Sequence, residues 1–282
     1  MNWFYLAIFS VISISIANLI QKVLASDEES DPYSYTIVFT LLAAIMTGIF
    51  AFFKGFNLPP IGEYPLNFLA SSIFYGFGTV LGFKALKTLG ASDNVLLTPF
   101  GSIVTIISAV IFLNERFGYL RILGAILIFI PIFLLNRSRA NFKFKPGTLY
   151  ALASAALFGL AVTNDAFILK RYDAISYTPV IFILPCIILI ILKPSSLKRV
   201  GKFLQIKPLL NILLFTFFYS LQAVSYYLAL ERGAGASQMS VIFKSEIITT
   251  VLLATIFLKE RKNISLKFIG ALLVTVGILL LR

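Results

Sequence analysis

The sequence has no histidine and a single cysteine, Cys186, among its 282 residues. Histidine is the side chain that most often carries protons near neutral pH, and it is the commonest metal ligand. One cysteine cannot form an intramolecular disulfide or a thiolate metal cluster. We therefore expect no metal site and no cofactor, and any proton coupling must fall to a carboxylate.

Charged residues are also scarce. They make up 13% of the chain, whereas 59% of the residues are hydrophobic; soluble domains average about 25% charged residues. A spanning helix needs about 20 apolar residues, and ten segments qualify. These segments are 3–24, 34–53, 64–86, 92–114, 118–136, 147–170, 176–192, 208–230, 235–258 and 264–281. We predict an all-α polytopic membrane protein with ten transmembrane helices.

Little of the chain remains for loops between these segments. A separate catalytic or nucleic-acid-binding module has no room, so the net charge of +12 is expected at the membrane flanks. No Gly-rich Lys-Ser/Thr phosphate loop occurs in the sequence, which argues against coupling to ATP. The expected partners are a small-molecule substrate and the lipid bilayer, with no nucleic acid.

The chain contains an internal duplication. The stretches Gly90–Arg116 and Gly235–Arg261 share a Gly-Ala-Ser start and an Ile-Phe-Leu-x-Glu-Arg end at an offset of 145 residues. Ser34-Tyr35-Thr36 recurs as Ser176-Tyr177-Thr178 at an offset of 142. A nearly fixed offset is typical of repeated units. We predict two five-helix repeats, 1–140 and 146–282, on either side of the basic connection 137–145. Because five is odd, the second repeat must be inverted in the membrane, as in many transporters.

The two copies differ where charge would matter most. Pro99 and Gly101 in the first copy stand at the positions of Lys244 and Glu246 in the second. A charge at the bilayer centre costs about 2.5–3.5 kcal/mol on insertion scales, so such side chains normally face the protein interior. Two residues along a helix rotate by about 200°. Lys244 and Glu246 are therefore predicted to point to nearly opposite sides of their helix.

Each of these two charges has a predicted role. Lys244 shares a helical stripe with Ser237 and Ser240, which we interpret as lining a cavity in which Lys244 contacts substrate. For Glu246 the sequence leaves two alternatives: coupling to an ion gradient, or a structural partnership with a lysine such as Lys84.

A second polar cluster lies in the predicted sixth helix, at Asn164 and Asp165. Asn18 in the first helix is equivalent to Asn164 at an offset of 146. We include all three among the candidate substrate-binding residues. The alternative for Asp165 is a carboxylate that reaches the membrane surface near Lys170.

Aromatic and amide side chains complete the candidate site. Gln222 and three tyrosines give the eighth helix a polar and aromatic character; the tyrosines are Tyr219, Tyr226 and Tyr227. Tyr75 of the third helix is predicted to face this helix across the repeat axis. The alternative for each tyrosine is packing, or anchoring at the membrane interface.

These motifs resemble the EamA-type members of the drug/metabolite transporter superfamily over nearly the whole chain. The family repeat has an Ala-Leu end to helix 3, a short Ser-Ala or Ala-Ser turn, a proline in helix 4, a Gly-Glu-Arg-like end to helix 4 and a Gly-Ala motif in helix 5. Here these are Ala85-Leu86, Ala91-Ser92, Pro99, Glu115-Arg116 and Gly124-Ala125, repeated as Ala229-Leu230, Ala236-Ser237, Lys244, Glu260-Arg261 and Gly270-Ala271. Lys244 departs from the pattern, because it replaces the proline that normally kinks the helix.

The resemblance implies that helices 1–4 and 6–9 line a central cavity, with helices 5 and 10 outside. It also implies a secondary transporter that moves a small metabolite, such as an amino acid, by alternating access. We expect an exporter in the bacterial inner membrane and not an enzyme. One alternative is a sugar-phosphate or organic-anion exchanger of the same fold, in which Lys244 receives the phosphate. A distant alternative is an integral-membrane enzyme that modifies lipids.

Overall fold

A computed structural model describes residues 2–24, 31–89, 97–137, 146–257 and 264–282. The start of the first duplicated stretch, 90–96, and most of the basic connection, 138–145, lie outside the described residues. The elements are α1 Trp3–Leu24, α2 Pro32–Lys54, α3 Pro65–Leu89, α4 Pro99–Leu113, α5 Tyr119–Arg137, α6 Pro146–Leu169, α7 Ala174–Leu192, the 3₁₀ helix η1 Pro194–Leu204, α8 Ile206–Glu231, α9 Ala236–Phe243, α10 Glu246–Phe257 and α11 Ile264–Leu281.

Seven of these helical segments are long and apolar enough to cross a membrane. They lie in α1, α2, α3, α6, α7 and α8 and in the combined segment Ala236–Phe257. The other three predicted spans correspond to shorter apolar helices, Pro99–Leu113, Tyr119–Leu134 and Phe268–Leu281. The protein is therefore an all-helical, multi-pass membrane protein over the part of the chain that the structure describes.

The Ser-Tyr-Thr motif marks the same helix start in both halves. Asp31 precedes α2, and its carboxylate accepts a hydrogen bond from the backbone nitrogen of Ser34 at 3.0 Å. Asp173 precedes α7 and accepts from the backbone nitrogen of Ser176 at 2.8 Å. A side-chain oxygen at this position satisfies an N–H group that the helix leaves free, so the repeated sequence encodes a repeated cap.

The two halves are interlocked. Helix α1 packs along α8 and also contacts α10, whereas its counterpart α6 packs along α3 and α4. Helix α2 pairs with α7, and α5 pairs with α11. The first helix of each half is therefore built into the bundle of the other half, and the space between the halves is enclosed by both.

Glycines allow the close approach of α6 to α3 and α4. A Cβ on Gly101 would lie 2.7 Å from the backbone oxygen of Ala155, and one on Gly159 would lie 2.5 Å from that of Gly101. On the other flank of α6, the hydroxyl of Ser154 donates to the carbonyl oxygen of Gly78 at 2.7 Å. These contacts are the helix packing that small residues permit in membranes.

The predicted continuous helix 235–258 is wrong, because a turn interrupts it between α9 and α10. The backbone nitrogen of Lys244 donates to Val241 at 3.1 Å, and that of Ser245 donates to Ile242 at 3.0 Å. These are the shorter i→i−3 bonds of a tightened turn. The Ser245 hydroxyl also donates to the Ile242 carbonyl at 2.6 Å and competes with the regular helical bond. The helix thus breaks at Lys244 without a proline.

In the first half, Pro99 directly follows a turn at Thr98 and is the first residue of α4. At that position the missing N–H of proline leaves no bond unmade. The part of the predicted span that precedes Leu97 lies outside the described residues, so the kink at Pro99 stays a prediction. Both halves begin a helix in the equivalent region, the first with proline at position 99 and the second with glutamate at position 246, two residues past the equivalent of position 99.

Candidate functional site

A cavity of about 370 Å³ lies between the two halves of the bundle. Its volume falls within the range of small-molecule sites, about 300–1,000 Å³. Residues of α1–α4 and of α6–α10 form its lining, and within the described chain neither α5 nor α11 contributes. This agrees with the arrangement that the family resemblance implies.

Seven of the nine predicted site residues lie in the lining of this cavity. They are Asn18, Tyr75, Tyr219, Gln222, Tyr226, Lys244 and Glu246. The other two, Asn164 and Asp165, are absent from that lining and belong to a neighbouring hydrogen-bond cluster.

The helix break brings Lys244 and Glu246 to the same cavity. The prediction that they point to opposite sides of one helix is wrong, because it assumed a continuous helix. The turn at 244–245 ends the regular rotation of about 100° per residue, so both side chains can face one cavity. Lys244 follows the carbonyl end of α9, and Glu246 begins the amide end of α10. The helix dipole favours a positive charge such as Lys244 at the carbonyl end of α9 and a negative charge such as Glu246 at the amide end of α10. Interrupted helices with exposed ends at mid-membrane are a common way to build substrate sites in transporters.

Glu246 is held by the first helix. The side-chain nitrogen of Asn18 donates to Oε2 of Glu246 at 3.0 Å, and the Ser15 hydroxyl donates to the Glu246 backbone oxygen at 3.2 Å. The alternative pairing of Glu246 with Lys84 is wrong. The Lys84 ammonium lies 5.6 Å from the centroid of the Tyr33 ring, a cation–π contact elsewhere in the bundle.

Aromatic rings that the sequence did not single out form much of the cavity wall. Tyr219 meets Phe39 edge-to-face with centroids 4.8 Å apart, and Phe182 lies 6.1 Å from the same tyrosine. Phe243 meets Tyr226 edge-to-face at 5.4 Å. Phenylalanines are frequent throughout this sequence, so nothing in their local spacing distinguishes these rings from lipid-facing ones.

Tyr226 has a distinctive environment. Its side chain is 5% exposed, and its hydroxyl has no hydrogen-bond partner within the described part of the chain. Buried polar atoms are almost always paired, and exceptions call for an explanation such as water or a ligand. Because Tyr226 lines the cavity, its hydroxyl is a candidate hydrogen-bond partner for a bound solute.

Tyr75 contacts α8, as predicted, and its partner there is Tyr227. The Tyr75 hydroxyl accepts a hydrogen bond from the hydroxyl of Tyr227 at 3.1 Å and donates to Oδ2 of Asp165. Tyr75 and Tyr227 both line the cavity, so this pair connects the cavity to the buried carboxylate behind it.

Asp165 lies in a hydroxyl cage. The residue is 0% exposed, which rules out a carboxylate reaching the membrane surface near Lys170. Besides Tyr75, its Oδ1 accepts from the Tyr177 hydroxyl at 2.6 Å and from the Ser71 hydroxyl at 3.0 Å. Asp165 therefore ties α6 to α3 and α7. Tyr177 belongs to the repeated Ser-Tyr-Thr motif, but the motif did not predict its hydrogen bond to Asp165.

The neighbouring Asn164 fastens α6 to α3. Its side-chain nitrogen donates to the Asn67 backbone oxygen at 2.8 Å and to the Ser71 hydroxyl at 2.6 Å. The Asn67 side chain donates back to Oδ1 of Asn164 at 2.6 Å. Asn164 and its equivalent Asn18 thus each bind their helix to the other half.

Ser237 is not part of the Lys244 stripe of the cavity as predicted; only Ser240 is in the lining. The Ser237 hydroxyl donates to the carboxylate of Glu115, which also accepts from the backbone nitrogen of Ser237 at 3.0 Å. The Glu-Arg motif of the first duplicated stretch could have marked Glu115, but its partner on the second half is visible only in the fold.

Comparisons with known proteins agree with this architecture. The model of the EamA-like transporter family matches the chain twice, over residues 1–137 and 145–282. An "uncharacterized transporter" of Archaeoglobus fulgidus is 26% identical over 206 residues, which cover 72% of this chain and 70% of that protein. A protein of known crystal structure, 13% identical, superposes with a TM-score of 0.78 over 99% of this chain and 95% of its own, and this likeness shows the fold alone. The chain therefore belongs to the EamA-like transporter family of membrane transporters.

Proposed function

We propose that the protein is a secondary transporter of a small zwitterionic metabolite, an amino acid or a closely related solute. The observation that carries this proposal is the presence of Lys244 and Glu246 together in one cavity at a helix break. A substrate carboxylate complements Lys244, and a substrate ammonium group complements Glu246. A ligand with both charges leaves neither side chain uncompensated in low dielectric.

The remaining lining fits the rest of such a ligand. The unpartnered hydroxyl of Tyr226 and the amide of Gln222 supply neutral hydrogen-bonding groups. The rings of Phe39, Phe182 and Phe243 supply an apolar wall for a hydrophobic side chain. A few placed polar groups within an apolar lining is the usual composition of a small-molecule site.

Transport proceeds by alternating access between two inverted five-helix repeats, 1–140 and 146–282, which together span the membrane ten times. The interlocked packing of α1 and α6 supports this mechanism. Both halves contribute to the cavity wall, so a rigid movement of one half against the other rearranges that wall. Export across a bacterial inner membrane is the direction and location that the family resemblance favours.

A thermal-shift experiment tests the substrate class. Purified protein is heated with each of the twenty protein amino acids, with their N-acetyl and amide derivatives, and with glucose 6-phosphate. Binding to the folded state raises the melting temperature, by the equivalent of about 2.7 kcal/mol at one hundred times the dissociation constant. We expect stabilisation by one or more free amino acids and none by their singly charged derivatives. Stabilisation by glucose 6-phosphate alone would instead identify an anion exchanger.

A further inference from the structure

The carboxylate of Asp165 is buried next to the cavity but is not part of its lining. It is 0% exposed and is surrounded by the hydroxyls of Ser71, Tyr75 and Tyr177. Tyr75 lies between Asp165 and the cavity, so a single side chain separates this carboxylate from the space that a solute would enter.

The surroundings of Asp165 differ from those of Glu246. Glu246 has the Coulombic attraction of Lys244 as well as the Asn18 amide. Among the described residues, no lysine or arginine forms an ion pair with Asp165. The ionisable groups that face it are the phenols of Tyr75, Tyr177, Tyr226 and Tyr227. A buried carboxylate without a cation is expensive, and binding one proton removes that charge.

Hydroxyl donors suit a group that gains and loses a proton. A tyrosine or serine hydroxyl rotates and can either donate to a carboxylate or accept from a carboxylic acid. A backbone N–H or an ammonium group can only donate. The cage around Asp165 is therefore built from groups that can pair with its carboxyl in either protonation state.

We propose that Asp165 is the proton-binding site that couples transport to the proton gradient, an inference that rests on the transport function proposed above. A proton reaches it through the two cavity tyrosines. Tyr75 passes its hydroxyl proton to Oδ2 of Asp165 and takes a proton from Tyr227, which regains one from a hydronium ion in the cavity. The net change is one proton moved from hydronium to Asp165, with a water molecule left in the cavity and both tyrosines restored.

Protonation also changes how the helices are held. Hydrogen bonds to an ionised carboxylate are about twice as strong as those between neutral groups. Neutral Asp165 therefore weakens the contacts of α6 with Ser71 and Tyr75 of α3 and with Tyr177 of α7. Proton binding in this way favours the rearrangement that alternating access needs.

Infrared titration of the purified protein tests the proton site without any substrate. Because the chain has twelve Asp and Glu residues, the band of Asp165 is taken from the difference between the wild type and Asp165→Asn. This difference should contain a carboxylic-acid band whose intensity depends on pH, and Glu246→Gln should retain the same band. Tyr177→Phe, which removes one donor to the ionised form, should move the midpoint of the band to higher pH. An unchanged titrating band in Asp165→Asn overturns the proposal, as does an unmoved midpoint in Tyr177→Phe.

A transport assay then separates this proposal from the one on which it rests. Proteoliposomes that contain a pH indicator receive a mixture of the twenty amino acids, and proton movement and labelled exchange are both followed. Asp165→Asn should exchange amino acids within about twofold of the wild type but move no protons. Ser108→Ala, which removes the hydroxyl contact of α4 with Thr163 of α6 and no ionisable group, should do both. Absence of exchange in the wild type would refute the amino-acid function, whereas proton movement by Asp165→Asn would refute the coupling site alone.

Discussion

Oε1 of Glu115 lies 2.6 Å from the backbone nitrogen of Ala236, the first residue of α9. The other carboxylate oxygen accepts from the backbone nitrogen and the hydroxyl of Ser237. A carboxylate from the first half thus satisfies the free N–H groups of a helix in the second half, and its charge opposes the positive end of that helix. The two halves are fastened to each other at this end of the bundle.

Replacing Glu115 should weaken this fastening. Glu115→Ala leaves two backbone N–H groups without their acceptor, and loss of a helix cap costs about 0.5–2 kcal/mol. We expect a lower melting temperature in detergent. Glu63→Ala, at an exposed position between α2 and α3, is the control and should melt like the wild type. Equal melting temperatures for the two variants would show that the Glu115 contact contributes nothing.

The α4–α6 crossing should not tolerate a side chain at Gly159. A Cβ there would meet the backbone oxygen of Gly101 at 2.5 Å and the Cβ of Val104 at 2.9 Å. Gly159→Ala must push the helices apart, and overpacking typically costs about 1–3 kcal/mol. Gly48→Ala is matched to it, since its Cβ would find only Pro179 at an ordinary 3.7 Å. Thermal melting should separate the two variants; equal stability would mean that α4 and α6 can move apart freely.

Apolar length was enough to predict helical membrane segments, because bilayer thickness sets the length of a spanning helix. The repeated motifs were enough to predict the family. The same patterns could not predict the break at Lys244. It depends on i→i−3 bonds and on the Ser245 hydroxyl, whereas the sequence rule for a kink looks for proline. Because the helix was assumed to be continuous, Lys244 and Glu246 were wrongly predicted to point in opposite directions.

The sequence also could not predict which polar residues become hydrogen-bond partners across the bundle. Asn18, Glu246, Tyr75 and Asp165 were all recognised as polar residues at membrane depth. Their pairing depends on the exchange of α1 and α6 between the halves, and residues 228 positions apart, such as Asn18 and Glu246, become neighbours only through it. Neither composition nor spacing carries that information.

The cap at Asp31 should make stability depend on acid pH. Burial raises the pKa of Asp31, but the hydrogen bonds from Ser34 and the charges of Lys193 and Arg199 outweigh it, so the pKa falls below its usual 3.8. The ammonium and guanidinium nitrogens of these residues lie 3.9 and 3.5 Å from Oδ1. A lowered folded-state pKa stabilises the protein above pH 3.8, and this contribution is lost as pH falls through the folded-state value.

Asp31→Asn should retain the helix cap but lose the ion pairs. We expect it to melt below the wild type near neutral pH, by the equivalent of about 0.2–1 kcal/mol for such partly exposed pairs. The difference should shrink as the pH falls below about 4, because the wild-type carboxylate then becomes neutral as well. Melting curves at several pH values measure it. A difference that stays constant across this range would contradict the assignment.

The central claim is that Lys244 and Glu246 bind the two charges of one substrate. Its most direct test is calorimetric titration of Lys244→Met, Glu246→Gln and the double variant with the amino acid that most stabilises the wild type, with melting measured in parallel. Lys84→Met is the control, because the Lys84 ammonium lies over the Tyr33 ring. We predict that each single variant loses at least about tenfold in affinity, or 1.4 kcal/mol, and that the double variant binds no better. The contradicting result is wild-type affinity in all three variants. If the melting temperature also falls in each single variant and returns to the wild-type value in the double variant, the two charges are a structural pair.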